Sequence, residues 1–253
     1  MVRLILISDT HSLHNKMAYD VRDFIDSTKE NILCHSGDCS NIGNQEQLVT
    51  FIEWFKRIKG FNKKLFIGGN HDFAFEKINY PHHVNDFKEI KNALNSLNGT
   101  DTIYLEDSEY IFKSENLNES IKFYGSPWQP NFHNWAFNLM RSGNDLMEKW
   151  DLIPSYTDIL ITHGPPYGIR DYVQHKIFDN NVGCELLLER VLKIKPLLHV
   201  FGHIHDGYGG IDRDGIAFIN ASICNERYEP INKPIVVEIY KEKNKLKLNY
   251  VNT

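Results

Sequence analysis

Val2-Arg3-Leu4-Ile5-Leu6-Ile7-Ser8-Asp9-Thr10-His11 begins as an almost unbroken apolar run and ends in a carboxylate and an imidazole two residues apart. A short, continuous apolar run reads as a strand covered on both faces. The pattern recurs. Ile32–His35 is a second buried strand and runs into Ser36-Gly37-Asp38. Lys64–Ile67 is a third and runs into Gly68-Gly69-Asn70-His71-Asp72. Between them, Tyr19–Thr28 carries Val21, Phe24 and Ile25 at helical spacing, and Gln45–Ile58 places Leu48, Phe51, Ile52 and Phe55 on one stripe. Strand, helix, strand, helix, strand implies crossover connections and a parallel sheet, so the fold class is α/β.

Further along, His82–Leu97 reads as a helix. Thr102–Leu105, Glu109–Phe112 and Ile121–Tyr124 read as short antiparallel strands, followed by a long irregular stretch from Gly125 to Trp135. Asp158–Thr162 and Leu198–Phe201 are two more buried strands with a helix at Glu185–Ile194 between them. Gly207–Ile211, Ile216–Asn220, Ile235–Tyr240 and Lys245–Val251 read as terminal antiparallel strands, whose exposed edge offers a second copy a place to pair as a homodimer. Nothing resembling a linker or repeat appears, so residues 1–253 are expected to form a single domain.

The chain has 253 residues, enough to bury a full core without a disulfide or metal staple. Its net charge of −5 excludes a broadly basic surface for long nucleic acid. No segment approaches the ~20 apolar residues of a membrane span, and the first run is too short for a secretory signal. A cytoplasmic location is therefore expected, with Cys34, Cys39, Cys184 and Cys224 as reduced thiols. None of the four has zinc-site spacing.

Of the 12 histidines, those that matter follow the buried strands. Asp9 and His11, Asp38, Asn70 and His71, then Thr162-His163-Gly164 and Gly202-His203-Ile204-His205 are delivered by five strand ends, where open α/β sheets bind their ligands. Asp9 and His11, like His203 and His205, are two apart in extended chain, so their side chains leave on the same side. Carboxylate, amide carbonyl and imidazole without thiolate suit Mn, Fe, Zn, Co or Ni. Asp9, His11, Asp38, Asn70, His163, His203 and His205 are too many candidates for one ion with an open position; two ions sharing a carboxylate fit better.

The ordered blocks Asp9-Thr10-His11, Gly37-Asp38, Gly69-Asn70-His71-Asp72, His163 and Gly202-His203-Ile204-His205 resemble those of the calcineurin-like metallophosphoesterases. His35-Ser36-Gly37-Asp38, Tyr124-Gly125-Ser126-Pro127-Trp128, Thr162-His163-Gly164-Pro165-Pro166 and Phe201–Gly209 are similar to one branch, the small metallophosphoesterase-domain-containing proteins, which resembles class III cyclic nucleotide phosphodiesterases. The resemblance implies a four-layer α/β/β/α sandwich of two mixed β-sheets flanked by helices. It implies that Asp9, His11, Asp38 and His205 hold one metal and Asp38, Asn70, His163 and His203 the other, with Asp38 bridging. Protein phosphatases of this superfamily carry an Arg-bearing segment after the Gly-Asp block. Here Cys39-Ser40-Asn41-Ile42-Gly43 has no arginine, which argues against phosphoprotein substrates.

Two ions ~3.5–4 Å apart lower the pKa of a shared water and present hydroxide for in-line attack on phosphorus. The activity expected is hydrolysis of small phosphodiesters, with cyclic nucleotides as candidates and Mn²⁺ the ion for assay. The alternatives are a phosphomonoesterase or nuclease on the same core, or a non-catalytic scaffold. By family analogy His71 stabilises the transition state or protonates the leaving alkoxide, and Asp72 is expected to orient His71. Asn70, His133 and Asn134 are candidate substrate contacts, the last two on the long loop. Trp128 and Trp135 are read as base-stacking or core residues, Cys39 as packing, and His35 as support behind the site. His14, His82, His83, His175 and His199 are read as surface or core residues.

Overall fold

The computed structural model describes residues 1–77, 87–174 and 180–251. In chain order the elements are β1 (Val2–Ile7), β2 (Glu30–His35), α1 (Gln45–Arg57), β3 (Lys63–Phe66), α2 (Phe73–Lys77), α3 (Lys88–Asn95) and β4 (Thr102–Tyr104). The hairpin β5 (Ser108–Ser114) and β6 (Glu119–Ser126) follows, then the short pair β7 (Gln129–Pro130) and β8 (Asn138–Leu139), α4 (Asn144–Asp151), β9 (Ile159–Thr162), α5 (Glu185–Ile194) and β10 (Leu198–Phe201). The chain closes with β11 (Gly209–Arg213), β12 (Ile216–Asn220), β13 (Ile235–Glu242) and β14 (Lys245–Tyr250).

Two six-stranded mixed sheets result, ordered β14-β13-β1-β2-β3-β4 and β11-β12-β10-β9-β6-β5. The continuous apolar runs are explained by burial on both faces. On β1, Leu4 and Leu6 point between the sheets, packing with Ile32, Leu65, Phe123, Ile161, Val200 and Ile219. Ile5 and Ile7 point the other way, into a layer formed with Leu33, Phe66 and the α1 stripe Leu48, Phe51, Ile52 and Phe55. On the outer face of the second sheet, Leu160, Phe201 and Phe218 pack against Leu146 and Trp150 of α4 and Leu187 and Val191 of α5. Three apolar layers between four layers of structure make this an α/β/β/α sandwich. Among the described residues no helix is long and apolar enough to cross a membrane.

Several expectations are corrected. Tyr19–Thr28 is not a helix. Only Val21–Phe24 forms a turn of 3-10 helix, started by the Asp20 carboxylate accepting from the Arg22 N–H. Asp26 then draws the chain out of helix, accepting from the Thr28 N–H and hydroxyl at 3.0 and 2.6 Å. Strand β4 pairs parallel with β3, not antiparallel with β5, as expected of a strand that returns after a helix. β12 is antiparallel to β11, as expected, and is also parallel to β10, which was not expected. The irregular stretch contains β7 and is followed by α4, whose two buried apolar residues are too few to announce a helix. The first of the terminal strands begins at Gly209. Residues 82–86 of the helix read from His82, with His82, His83 and His175 themselves, lie outside the described residues.

The two facing sheets are joined beyond the carboxyl ends of two interior strands. Beyond β1 and β12, Ser8 and Ser222 form a parallel bridge, and the Ile223 N–H donates to the Ser8 carbonyl at 2.9 Å. This join sets the loops of both sheets around one cleft.

Candidate metal centre

The loops that leave β1 and β2 are tied to each other first. The Asp9 N–H donates to the Gly37 carbonyl and the His11 N–H to the Asp38 carbonyl, both at 3.0 Å. Four of the seven metal-ligand candidates adopt left-handed backbone: Asp9 (φ 53), His11 (φ 42), Asp38 (φ 54) and His203 (φ 67). Such conformations cost about 1–3 kcal/mol each for residues with a side chain and persist where surrounding contacts impose them. Glycine is required where loops touch: a Cβ on Gly202 would stand 2.0 Å from Asp9 Oδ2, and one on Gly69 2.3 Å from Asp38 Oδ1.

The result is a tight array of donors. Asp9, His11 and His205 form one group and Asp38, His163 and His203 another, each with its ligand atoms within 4.8 Å of one another. His11, Asp38 and His71 form a third. Asp38 faces both sides, with Oδ1 3.3 Å from His163 Nε2 and Oδ2 3.8 Å from His11 Nε2. Asn70 Oδ1 is 2.8 Å from His163 Nε2. All seven sequence candidates for metal binding are brought together.

This donor set fits divalent ions. His163 Nδ1 donates to the Ser36 carbonyl at 2.9 Å, and His205 Nδ1 to the Asn225 carbonyl at 2.8 Å. Carbonyl partners of this kind turn the Nε2 lone pairs inward. There they meet other acceptors: His163 Nε2 faces Asn70 and Asp38, and His205 Nε2 lies 3.2 Å from His11 Nε2. Converging lone pairs and carboxylates repel unless a proton or a cation stands between them. His11 Nδ1 is buried without a hydrogen-bond partner. Burial pushes both carboxyls up, yet His205 beside Asp9 and His163 beside Asp38 outweigh it and hold both below the usual range.

The cation deficit yields a pH prediction. In metal-free protein, burial lowers the His163 pKa but Asp38 and Asp9 outweigh it, raising the pKa from 6.5 to about 9. A raised folded-state pKa stabilises the fold fully below pH 6.5, and that contribution is lost as pH rises through about 9. Metal must displace this proton. Metal affinity should therefore climb between pH 6.5 and 9, with proton release visible as a dependence of titration heat on buffer ionisation enthalpy. Heats identical in all buffers at pH 7.5 would contradict it.

His71 sits over the array. Its Nδ1 donates to the Asn41 carbonyl at 2.6 Å, its Nε2 is 3.9 Å from Asp38 Oδ2, and its ring packs 4.2 Å from Trp135. Asp72 does not orient it, contrary to expectation. The Asp72 carboxylate is buried and accepts from the N–H groups of Cys39, Ser40 and Gly69 and from the Ser40 hydroxyl at 2.6–3.1 Å. Its geometry points it at backbone, and its work is to clamp the loops carrying Asp38 and Asn70. Asp72→Ala strands these buried donors and should destabilise the protein by about 3 kcal/mol or more. Denaturant unfolding tests this; a shift like that of a surface substitution would refute the clamp.

The other candidates divide. His133 is exposed and lines the cleft, which has a volume of about 550 Å³, whereas Asn134 is exposed and is not among its lining residues. Trp135 lines the cleft. Trp128 does not; its Nε1 donates to Asp107 at 2.8 Å and Lys149 lies over its ring. Cys39 is a buried thiol with its pKa pushed well up by burial and by Asp72. His35 supports the loop, bonded to the Thr10 hydroxyl and the Gly37 N–H. His14 and His199 are buried, His14 against Phe51 and Trp54 and His199 bonded to the Thr162 hydroxyl. All four cysteines are free.

Sequence reasoning missed Ser222, whose hydroxyl donates to Asp9 at 2.9 Å, and also Asn225 and Tyr228. A signal existed for the first. β12 ends at Asn220 and Ser222 follows it as Asp9 and Asp38 follow β1 and β2, but the antiparallel pairing with β11 gives no hint that β12 also runs parallel to β10.

Comparison with known proteins agrees with this geometry. Residues 2–207 match the family model described as calcineurin-like phosphoesterase. The chain is 38% identical over 255 residues to the human protein metallophosphoesterase domain-containing protein 1, covering 96% of this chain and 72% of that one. It is 36% identical to UPF0046 protein T07D4.2 of Caenorhabditis elegans, over 82% of this chain and 54% of the relative. Its fold is also that of phosphopantetheinyl hydrolase from Mycobacterium tuberculosis, with TM-score 0.57, 14% identity and coverage of 98% and 95%. The chain belongs to the calcineurin-like phosphoesterase family, and family and fold together make it a metal-dependent phosphoesterase.

Proposed function

We propose that the chain is a two-metal phosphodiesterase acting on small, singly charged phosphodiesters, cyclic nucleotides among the candidates. Asp9, His11, Asp38 and His205 hold one ion, and Asp38, Asn70, His163 and His203 the other. When bound, the ions supply Lewis acidity toward the phosphoryl group and an activated water. With only two carboxylates among these ligands, two divalent ions leave the centre cationic, which draws an anion in.

The preference for a diester rests on one observation. Among the described residues lining the cleft, Arg141 is the sole Lys or Arg, and its guanidinium is committed to the carbonyls of Gly183 and Val182 and to Glu185. No described arginine or lysine lining the cleft is left to balance the second charge of a monoester. Asp206 and Glu226 on the rim oppose a long polyanion. His71, anchored at Nδ1 by Asn41, presents Nε2 to the centre, where it protonates the departing oxygen. Trp135 packs on its ring.

The test is to strip the protein, restore Mn²⁺, and compare bis-p-nitrophenyl phosphate with p-nitrophenyl phosphate, then 3′,5′- and 2′,3′-cyclic nucleotides. A higher kcat/KM for the diester is expected. Preference for the monoester, or inertness toward every substrate with both ions bound, would overturn the proposal.

A further inference from the structure

Tyr228 is the unexplained residue of the cleft. It adopts φ 60, a left-handed conformation unfavourable for a bulky side chain. It is also 47% exposed, so core burial does not account for the strain. Yet the turn that carries it is closely held. Asn225 Oδ1 accepts from the Arg227 and Glu229 N–H groups at 2.9 Å, Asn225 Nδ2 donates to the Glu229 carboxylate at 2.8 Å, and the Asn225 N–H donates to the Glu229 carbonyl at 3.0 Å. The Asn225 carbonyl accepts from the Tyr228 N–H at 2.9 Å and from His205 Nδ1 at 2.8 Å. One carbonyl thus positions both a candidate metal ligand and the strained tyrosine.

The ring's place is equally specific. It lies 4.8 Å from the His11 ring and 5.1 Å from His205, but 6.5 Å from His71. Trp135, which lines the cleft as Phe132 does, lies against His71. The rings run Trp135, His71, His11, Tyr228, with neighbouring centroids 4.2, 4.7 and 4.8 Å apart. A diester has two substituents. If His71 protonates the one that leaves, that group lies by Trp135, and the one kept on phosphorus lies toward Tyr228.

We propose that Tyr228 is a specificity residue whose ring packs against the retained substituent, favouring a planar or aromatic group there; this rests on the phosphodiesterase reading. The strain at Tyr228 is then the cost of holding a half-exposed ring at a fixed distance from the ligands.

The test keeps the leaving group constant. Phenyl p-nitrophenyl phosphate and methyl p-nitrophenyl phosphate both release p-nitrophenolate and differ only in what stays on phosphorus. The wild-type protein should show a KM about tenfold lower for the phenyl ester, the size expected of one aromatic contact. Tyr228→Ala should erase that preference with metal content unchanged, and Tyr228→Phe should keep it. Asn225→Ala retains the carbonyl on His205 but loses the side-chain capping of the turn, and should weaken the preference with both metals bound. A preference that survives in Tyr228→Ala, or that Tyr228→Phe loses equally, overturns the assignment. Calorimetric binding of phenylphosphonate against methylphosphonate, which have no ester bond, reads the contact without turnover. Wild-type discrimination that Tyr228→Ala loses supports Tyr228 even if both diesters prove inert and the phosphodiesterase reading falls. Equal binding of the two by the wild type removes Tyr228 from recognition.

Discussion

Asp38→Ala is expected to remove bound metal and activity together, lowering kcat/KM on the order of a thousandfold or more. Among the described residues the Asp38 carboxylate lies between His163 of one donor group and His11 of the other. Oδ1 is 3.3 Å from His163 and Oδ2 is 3.8 Å from His11. The same carboxylate also accepts from the His71 N–H at 2.8 Å, so it fixes the loop that presents the proposed acid. Alanine removes the shared charge and that anchor at once. Asp38→Asn separates them, since an amide oxygen can still accept from His71 while the charge is gone. If charge holds the ions, Asn should lose metal nearly as completely as Ala. Elemental analysis after gel filtration, beside kcat/KM with added Mn²⁺, decides between them. Two equivalents of metal retained by Asp38→Ala would show that Asp38 is not shared. The same variant should return His163 toward ordinary titration, because Asp38 is the main group raising it.

The parts of the fold legible in sequence are those in which burial alone dictates the pattern. β1, β2, β3, β9 and β10 are covered on both faces, so each shows an apolar run with a polar terminus, and the termini revealed the centre. Pairing direction is only partly legible, because a short apolar strand looks the same parallel or antiparallel: β12 pairs antiparallel with β11 as expected, but its parallel pairing with β10 and that of β4 with β3 leave no mark in the sequence. The parallel partner of β12 matters for the site, since running alongside β10 sends Ser222 and the Asn225 turn into it. Asp72 shows another limit. Its neighbour His71 suggested a catalytic partnership, but the amides it binds at Cys39 and Ser40 are over thirty positions away in sequence, at |i−j| of 33 and 32. Tyr228 left no trace at all. A left-handed aromatic in a polar turn has no periodicity, and only its contacts with His11 and His205 expose it.

His71→Ala should leave metal content intact and lower kcat by roughly 10²- to 10⁴-fold, the usual contribution of a positioned acid or base. The side chain can be removed without disturbing the ligands, because the bond to Asp38 is made by the His71 backbone N–H. What disappears is an imidazole whose Nδ1 is committed to Asn41, leaving Nε2 as its one free nitrogen toward the centre. The leaving group then discriminates between roles. p-Nitrophenolate departs readily without a proton, whereas an alkoxide does not. If His71 is the acid, the loss should be small for bis-p-nitrophenyl phosphate and large for a dialkyl ester or a cyclic nucleotide. If His71 only stabilises charge on the phosphoryl oxygens, the loss should be similar for all of them. Trp135→Ala supplies the companion measurement, since it removes the packing on the His71 ring but not the Asn41 bond. It should reproduce the same leaving-group dependence in weaker form. Normal turnover of a cyclic nucleotide by metal-loaded His71→Ala would take His71 out of the reaction and leave its place over the array without a chemical role.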